Sequence, residues 1–544
     1  MNYIKKTTKF SFSIILLLII ICTSKLFSQD TYGEKLLKMN QFKTAKKYLS
    51  DQFKSNPANT KNLYLLGETY FNMGKTDSAH FFFLKGISID PNDYYCNIGI
   101  AKVLFEKSNP EDAKKILEKV KSLSKYKDAI ILATIADACI SSKNKHFELA
   151  SENLEKAKEI DKTKALIHIV SGDLNSLKEN LGDAANDYER AIYYDKNCAE
   201  AYYKLGKIYI TARNFDESVK AFDNAIKTDS AFIPVWRDLA ELYYAYGYYQ
   251  KASDAFSKYI QLTEPELNDH IRYASILYFN KEYAKSLTET GNALQIDSKN
   301  FVMKRLNAYN LFETKDFNKS LLSINDYFKT TDESKYIATD FEYYGKILSK
   351  NNQDSLAIIA FEKCIKMDST KTGLYENIGM SYDKQKKFSK SSEAYKSLIS
   401  FKKNPFSSDY FLLGKSLYYF GGSLINSADS ILKKQIFTEA DSSFSKVTEL
   451  SPNSYLGYFW KARVNALLDP ETESGIAKPW YEKVISVLET TPEKNKKELL
   501  ESYQYLGYFY YLKKENELSK SYWNKILAID PSDKKAQEAI KGMK

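Results

Sequence analysis

A small residue returns about every 34 positions along this chain, and a second small residue follows each one 12 positions later. The first members of these pairs are Gly33, Gly67, Ala101, Gly172, Gly206, Ala240, Ala274, Ala308, Gly345 and Gly379; the second members are Ala45, Ala79, Ala113, Ala184, Ser218, Ala252, Ser286, Ser320, Ala357 and Ser391. Such spacing lets two antiparallel helices approach closely in every repeat. The period therefore predicts stacked helix hairpins with an extended binding surface rather than a catalytic pocket.

The composition fits such an array and argues against nucleic acid as a partner. A chain of 544 residues is too long for one compact core, and its 44% hydrophobic and 27% charged residues are ordinary for a folded protein. The formal charge is +10, but residues 1–28 contain four lysines and no acid, which leaves +6 on the rest. No dense block of Lys and Arg occurs, so the charge pattern does not favour binding of DNA or RNA.

Residues 62–91 show the repeat most clearly. Apolar residues recur at helical spacing in two stretches, and Gly67 and Ala79 stand where the two helices are expected to touch. Phe83 is expected to fill the space toward the next repeat. The Asp-Pro pair that ends at Pro91 closes the second helix, because proline cannot continue it.

This pattern resembles the tetratricopeptide repeat family, in which Leu-Gly, Tyr, Ala, Phe, Ala and Pro occur at fixed offsets. Trp236–Ala240 and Tyr503–Gly507 are close copies of the family's opening helix, and Ala440–Pro531 is similar to the end of exported bacterial members. Repeats start near residues 26, 60, 94, 129, 165, 199, 233, 267, 301, 338, 372, 407, 455 and 500. The resemblance implies an all-α, right-handed superhelical solenoid of about fourteen helix-turn-helix repeats.

The departures from the period divide the chain into four segments. We expect a signal peptide over residues 1–28, about eleven repeats over 29–406, C-terminal repeats with inter-helix insertions over 407–533, and a capping helix over 534–544. About 14 residues are inserted within Tyr418–Phe437, and three within the thirteenth repeat through Asp469-Pro470. We interpret the longer insertion as a lengthened loop with a break at Gly421-Gly422; extension of the second helix over Leu424–Ile436 is the alternative.

The N-terminus has the pattern of a secretory signal peptide. Three lysines precede an apolar core over Phe10–Ile21, which is shorter than the ~20 residues of a spanning helix. Cleavage is expected near Ser28. Cys22 raises the alternative of a lipoprotein, but Ile21 stands where a lipobox has a small residue. We expect an exported protein of the periplasm or cell envelope, or an extracellular one, without a stable membrane span after cleavage.

No group of residues points to catalysis, a cofactor or a metal. The sequence lacks phosphate-binding glycine loops and nucleophile elbows. His168 and His270 occupy a repeat position where an aromatic ring normally packs, which favours a core role over metal ligation. Cys96, Cys139, Cys198 and Cys364 lack metal-binding spacing, and we interpret them as buried thiols. We therefore predict a protein that is not an enzyme.

The candidate binding residues lie on the opening helices, which line the concave face in this family. Aromatic residues recur 34 positions apart at the twelfth repeat position, in the runs Phe71 and Phe105, then Tyr244, Tyr278 and Phe312. Arg237 and Arg305, at the fifth position, flank the second run and are candidates for clamping a carboxylate. The competing interpretation is structural: the rings pack between repeats and the arginines are ordinary surface residues.

From these features we predict a scaffold that binds a protein or an extended peptide through its concave face. The alternative is a module that binds envelope glycan by stacking sugar rings on the same aromatic residues. The sequence leaves the identity of the partner and the oligomeric state open.

Overall fold

The computed structural model describes residues 32–424, 430–490 and 492–543, and its regular elements there are helices. They form fourteen hairpins followed by one single helix, so the prediction of an all-α solenoid of about fourteen repeats is confirmed. The predicted signal peptide, including Cys22, lies outside the described residues. The helices group into two packed units, one ending at Glu289 and one beginning at Thr290.

The first unit contains α1 to α15 and the start of α16. The bounds are α1 (residues 32–38), α2 (Phe42–Ser55), α3 (Thr60–Asn72), α4 (Thr76–Ile89), α5 (Tyr94–Glu106), α6 (Pro110–Leu123), α7 (Ala129–Ser141), α8 (Phe147–Asp161), α9 (Ala165–Leu177), α10 (Leu181–Tyr194), α11 (Ala199–Thr211), α12 (Phe215–Thr228), α13 (Ile233–Ala245), α14 (Tyr249–Leu262), α15 (Leu267–Phe279) and α16 (Tyr283–Ile296). Odd-numbered helices open the repeats and even-numbered helices close them.

The second unit contains the rest of α16 and the helices α17 to α29. The bounds are α17 (Phe301–Glu313), α18 (Phe317–Thr330), α19 (Ala338–Lys350), α20 (Asp354–Met367), α21 (Leu374–Lys384), α22 (Phe388–Phe401), α23 (Ser407–Ser423), α24 (Ser430–Leu450), α25 (Tyr455–Leu468), α26 (Lys478–Leu488), α27 (Lys496–Leu512), α28 (Asn516–Ile529) and α29 (Lys534–Gly542). Short 3-10 turns at Glu333–Lys335 and Pro492–Lys494 precede α19 and α27.

The small residues of the period lie where an aromatic ring of the second helix crosses the first. A Cβ atom on Gly67 would lie 2.2 Å from Cε1 of Phe83, so a larger side chain would push the ring and its helix away. The same contact, between a glycine and an aromatic ring 16 residues later in the sequence, recurs in Gly172–Tyr188, Gly206–Phe222, Gly345–Phe361 and Gly379–Tyr395. The period thus records one helix contact repeated along the chain.

Serine can replace the small residue of the second helix because its hydroxyl has a partner across the hairpin. The hydroxyls of Ser286, Ser320 and Ser519 donate to carbonyls 12 residues earlier in the facing helix, at 2.7, 2.8 and 2.7 Å. All three serines are fully buried. A buried hydroxyl is tolerated when it is hydrogen-bonded, so these serines preserve close packing without an unsatisfied donor.

The long insertion in the twelfth repeat lengthens both helices, which corrects our interpretation of Tyr418–Phe437 as a loop. Helix α23 runs unbroken through Gly421-Gly422, and a Cβ atom on Gly421 would lie 2.6 Å from the ring of Phe437. Gly414 faces Phe444 in the same way. Each of these two contacts lies seven residues from the other along each helix, which is about two helical turns. The insertion therefore adds a second copy of the glycine–aromatic contact.

The shorter insertion, in the thirteenth repeat, does form a loop between α25 and α26. The Asp469 carboxylate accepts hydrogen bonds from the backbone N–H groups of Glu473 and Gly475, at 3.1 and 2.7 Å. At the end of the chain, α29 packs against the last repeat and buries Ala536 completely.

Candidate functional site

Five tyrosines stand within seven residues at the turn between α13 and α14. The segment Tyr243–Tyr249 reads Tyr-Tyr-Ala-Tyr-Gly-Tyr-Tyr. Gly247 has a φ of 77°, a backbone conformation that glycine adopts at little cost and that turns the chain sharply. The side chains on either side of it, Tyr246 and Tyr248, are each 49% exposed. The turn therefore displays aromatic rings at one edge of the first unit.

These rings continue into the next repeat. Tyr244, Tyr249 and Phe279 are in mutual contact, with ring centroids 5.4–5.7 Å apart. Tyr278 is 5.7 Å from Phe279 and also 5.7 Å from Tyr283. Tyr244 and Tyr278, which the sequence places in one run of aromatic residues, therefore belong to one aromatic cluster joined by Phe279.

A second group of rings lies on the other side of the same turn. Phe215 is 4.5 Å from Tyr246 and 5.5 Å from Tyr248, centroid to centroid. The ammonium group of Lys251 lies 5.4 Å from the Tyr243 ring, within cation–π range. We call the combined surface the aromatic edge; it consists of Phe215, Tyr243, Tyr244, Tyr246, Tyr248, Tyr249, Tyr278, Phe279 and Tyr283.

One ion pair lies next to the aromatic edge and joins two of its helices. Arg272 on α15 donates from Nε to Glu241 on α13 at 2.6 Å and from a second nitrogen to the other carboxylate oxygen. Its guanidinium lies 4.0 Å from the Tyr244 ring. Burial raises the pKa of Tyr244 above its ordinary value, so the phenol is neutral at physiological pH. The edge thus offers uncharged rings, and an ion pair joins two of the helices that carry them, α13 and α15.

Arg237 on α13 is a further cation near this edge, besides Lys251. Its side chain is exposed, and its guanidinium lies 5.8 Å from the Tyr259 ring. Within the described part of the chain, no carboxylate forms an ion pair with it. Arg237 and Tyr244 are seven residues apart on α13, which places them on the same side of the helix.

Arg305 does not offer a free guanidinium, which corrects the prediction that it clamps a ligand carboxylate. It forms an ion pair with Asp340 at 2.6 Å, and Asp340 is fully buried. The same guanidinium donates to the Tyr327 hydroxyl at 2.9 Å and to the Lys335 carbonyl at 2.6 Å. The side chain is only 15% exposed, and its charge is paired within the second unit.

Phe105 is also corrected, because its ring is completely buried. It packs 4.2 Å from the His146 ring in the core of the third and fourth repeats. A ring with no exposed surface cannot contact a ligand in this conformation. The structural interpretation applies to Phe105.

Phe71 and Phe312 are half-buried and partly covered by neighbours. The ammonium group of Lys102 lies 4.8 Å from the Phe71 ring and pairs with Glu68 at 2.8 Å. Phe312 packs against Phe317, with centroids 5.5 Å apart. Both stay candidates by sequence, but neither belongs to the aromatic edge.

Residues of catalytic type elsewhere are used for packing. His168 is buried, with Nε2 2.8 Å from the Lys162 carbonyl, and Nδ1 of His270 is 2.6 Å from Glu289. Among the described residues, no group of three or more His, Cys, Asp or Glu side chains could hold a metal ion. In that same part of the chain, every helix is too short or too polar to cross a bilayer.

The sequence pattern of fixed repeat positions missed Tyr246, Tyr248, Tyr249 and Phe279. These residues lie in the turn or at the helix ends, outside the positions that normally line the concave face. The signal was present as the density of tyrosine over residues 243–249.

Tetratricopeptide repeat models match this chain at residues 60–93, 178–231, 203–266 and 344–371. The matched region 203–266 contains six of the nine residues of the aromatic edge. No curated protein matches the chain.

Several solved structures are similar to parts of the chain. The C-terminal part of a TPR repeat-containing protein from Cytophaga hutchinsonii is 32% identical; the match covers 50% of this chain and 99% of that one, with a TM-score of 0.43. PilF of Pseudomonas aeruginosa is 13% identical over 46% of this chain and 97% of its own, with a TM-score of 0.30. MamA is 20% identical over 36% and 94%, with a TM-score of 0.22.

Proposed function

Because the chain belongs to the tetratricopeptide repeat family, whose repeats commonly bind proteins or peptides, we propose that it is a non-enzymatic scaffold that holds an extended peptide segment of a partner protein on the aromatic edge. The observation that carries this proposal is the presence of nine rings in two contacting groups, one of five and one of four, on either side of one turn. Tyr246, Tyr248 and Phe279 are each nearly half exposed, at 49%, 49% and 46%.

Exposed rings on a fixed frame suit this role energetically. Tyrosine and phenylalanine supply large contact areas and lose little conformational freedom on binding, which is why they dominate binding hot spots. The Arg272–Glu241 pair ties α13 to α15, so the rings of two repeats are held at a set separation before a ligand arrives. A preorganised site loses less conformational entropy when a ligand binds, so the affinity is higher.

Arg237 adds a preference for one kind of peptide. Seven helical residues separate it from Tyr244, which corresponds to ~10 Å along the axis of α13. An extended peptide spans this distance in about three residues. The favoured ligand therefore places an acidic residue about three positions from an aromatic or other apolar residue.

Selection from a random peptide display library on the purified protein tests the proposal. Peptides enriched on the wild type should bind a Tyr246→Ala/Tyr248→Ala/Phe279→Ala variant about 30-fold more weakly, the loss expected when a ~2 kcal/mol hot spot is removed. A Tyr126→Ala/Tyr193→Ala variant is the matched control, since these side chains are 51% and 75% exposed elsewhere in the same unit. Equal loss in both variants, or no enrichment, would contradict the proposal.

The same variants separate the peptide from the glycan alternative. If the wild type is retained on isolated cell-wall polymer, the triple variant is not, and no peptide is enriched, the edge is a glycan platform. If the wild type binds peptides and is not retained on the cell-wall polymer, the result supports the scaffold.

The location outside the inner membrane is part of the proposal and is supported by the signal-peptide pattern of residues 1–28. N-terminal sequencing of the protein from fractionated cells should yield a chain that starts near Gln29 in a fraction beyond the inner membrane. An acylated Cys22 at the N-terminus would favour the lipoprotein alternative. A cytoplasmic protein that begins at Met1 would contradict export.

A further inference from the structure

Met39, at the turn between α1 and α2, is buried by residues far along the chain. It is 6% exposed and belongs to an apolar cluster with Ala199, Phe232 and Ile233, which lie in and around α11 and α13. Met73 occupies the equivalent position one repeat later and is only half-buried. The repeat fold by itself therefore does not bury a methionine at this turn; contact with the sixth and seventh repeats does.

Two ion pairs flank the buried methionine. Lys35 on α1 lies 3.4 Å from Asp229, in the connection that precedes α13. Lys43 on α2 pairs with Glu266, in the connection that precedes α15. The side chains of both pairs are substantially exposed to solvent, between 32% and 69%. One apolar side chain and two ion pairs thus join the first repeat to the connections that lead into the seventh and eighth.

We infer that the first hairpin, α1–α2, is a reversible latch that fastens the start of the first unit to the connections before α13 and α15. The latch is reversible because its ion pairs are exposed and salt screens such pairs strongly, while a single methionine supplies its buried apolar contact. The hairpin keeps its own stacking on α3 when the latch opens, since that packing uses other side chains of the hairpin, Leu36 and Leu49, which are buried in a cluster with residues of α3.

The latch is separate from the proposed ligand site. The latch contacts the connections at the N-terminal ends of α13 and α15, whereas Tyr244 and Phe279 lie at the C-terminal ends of these helices. Opening of the latch should therefore leave the aromatic edge intact. The test of the latch is independent of the test of the peptide proposal.

Zero-length carbodiimide cross-linking of the full-length protein, read by mass spectrometry, tests the inference, because this reagent joins amines to carboxylates that already touch. Lys35–Asp229 and Lys43–Glu266 cross-links are expected. Lys525–Glu489 is the internal control: this pair is 3.2 Å apart, similarly exposed, and held by packing of neighbouring repeats. Absence of both latch cross-links, with the control present, would overturn the inference.

Met39→Asp should reduce both latch cross-links about tenfold, since a charge cannot occupy the apolar cluster, and Met73→Asp should leave them unchanged. Added salt should also reduce the latch cross-links relative to the control. Lys35→Glu/Lys43→Glu should increase hydrogen exchange at residues 229–236, and adding Asp229→Lys/Glu266→Lys should restore protection. Persistent cross-links in Met39→Asp, or insensitivity to salt, would show fixed packing and overturn a reversible latch.

Discussion

Arg237 in the first unit and Arg305 in the second occupy the same repeat position, and the same two residue types follow each of them in the sequence. Only Arg237 is available to a ligand. Each is followed by a tyrosine in the closing helix and an aspartate at the start of the next repeat: Tyr259 and Asp269 in one case, Tyr327 and Asp340 in the other. In both units the tyrosine hydroxyl donates to the aspartate, at 3.1 and 2.9 Å. In both, the aspartate also accepts a backbone N–H at the helix start.

The difference comes from what surrounds the arginine. The connection before α19 contains the 3-10 turn Glu333–Lys335, and the Lys335 carbonyl accepts a hydrogen bond from Arg305. Tyr309 donates a further hydrogen bond to Asp340, whereas the equivalent residue of the first unit is Glu241, which pairs with Arg272. With an extra turn and one tyrosine around it, Arg305 is only 15% exposed and is paired with a fully buried carboxylate, whereas Arg237 is exposed. Repeat position alone therefore does not assign a role in binding.

The largest expected effect is that of removing the buried carboxylate. Asp340→Ala should destabilise the second unit by about 3–5 kcal/mol, because it removes a fully buried counter-charge from Arg305, whose side chain is only 15% exposed. Asp269→Ala should cost the first unit only about 1–2 kcal/mol, the value of a helix cap and one hydrogen bond. Hydrogen exchange followed by mass spectrometry measures each unit separately. Equal losses would show that the two clusters are energetically the same.

Replacing each arginine with alanine tests the same difference between the two units. Arg305→Ala should cost about 2–4 kcal/mol, since Asp340 loses its cation. Arg237→Ala should change stability by less than about 0.5 kcal/mol, as is usual for an exposed side chain, and should weaken acidic peptides selected on the wild type. If Arg237→Ala destabilises the first unit as much as Arg305→Ala destabilises the second, Arg237 is structural and the proposed ligand preference is wrong.

How far the sequence predicts this molecule depends on whether a feature is local. The contact of Gly67 with Phe83 is set by spacing within one hairpin, and for that reason the 34-residue period predicts the helices and their pairing. One hydrogen-bond partner of Arg305 is the Lys335 carbonyl, whose position depends on the conformation of a three-residue turn. The spacing of residues in the sequence does not predict that conformation. The burial of Met39 depends on where distant repeats arrive after many small rotations, and those rotations are not readable from the pattern of any one repeat.

A smaller effect is expected at Tyr309, the residue that the second cluster adds. Tyr309→Phe removes a hydrogen bond to a buried carboxylate but keeps the ring, so it should cost about 1.5–3 kcal/mol. Tyr259→Phe, which removes the equivalent of the Tyr327 bond in the first unit, deletes a longer hydrogen bond to a buried carboxylate, at 3.1 Å, and should cost about 1.5 kcal/mol. Thermal or denaturant unfolding monitored by exchange within residues 301–350 and 233–279 gives the two values. A larger loss from Tyr259→Phe would place the tighter cluster in the first unit.

The smallest effect is a loss of stability in alkali that involves Tyr259. Burial, with a smaller contribution from Asp269, raises the pKa of Tyr259 to about 12, while Arg237 opposes the shift. Because the folded pKa lies above the unfolded value of about 10, the folded state holds its proton more tightly. The stabilisation is complete below pH ~10 and is lost as the pH rises from ~10 to ~12.

At pH ~11 the contribution of Tyr259 should therefore be about 1 kcal/mol smaller than at pH ~9, and Tyr259→Phe should remove this part of the pH dependence of the first unit. Arg237→Ala should raise the phenol pKa further, because it deletes a nearby cation that favours the phenolate. Absorbance titration of the tyrosinates in the two variants measures the direction. A Tyr259 that titrates at its ordinary pKa in the wild type would mean that its hydroxyl reaches solvent, and the parallel with Tyr327 would then fail at its central residue.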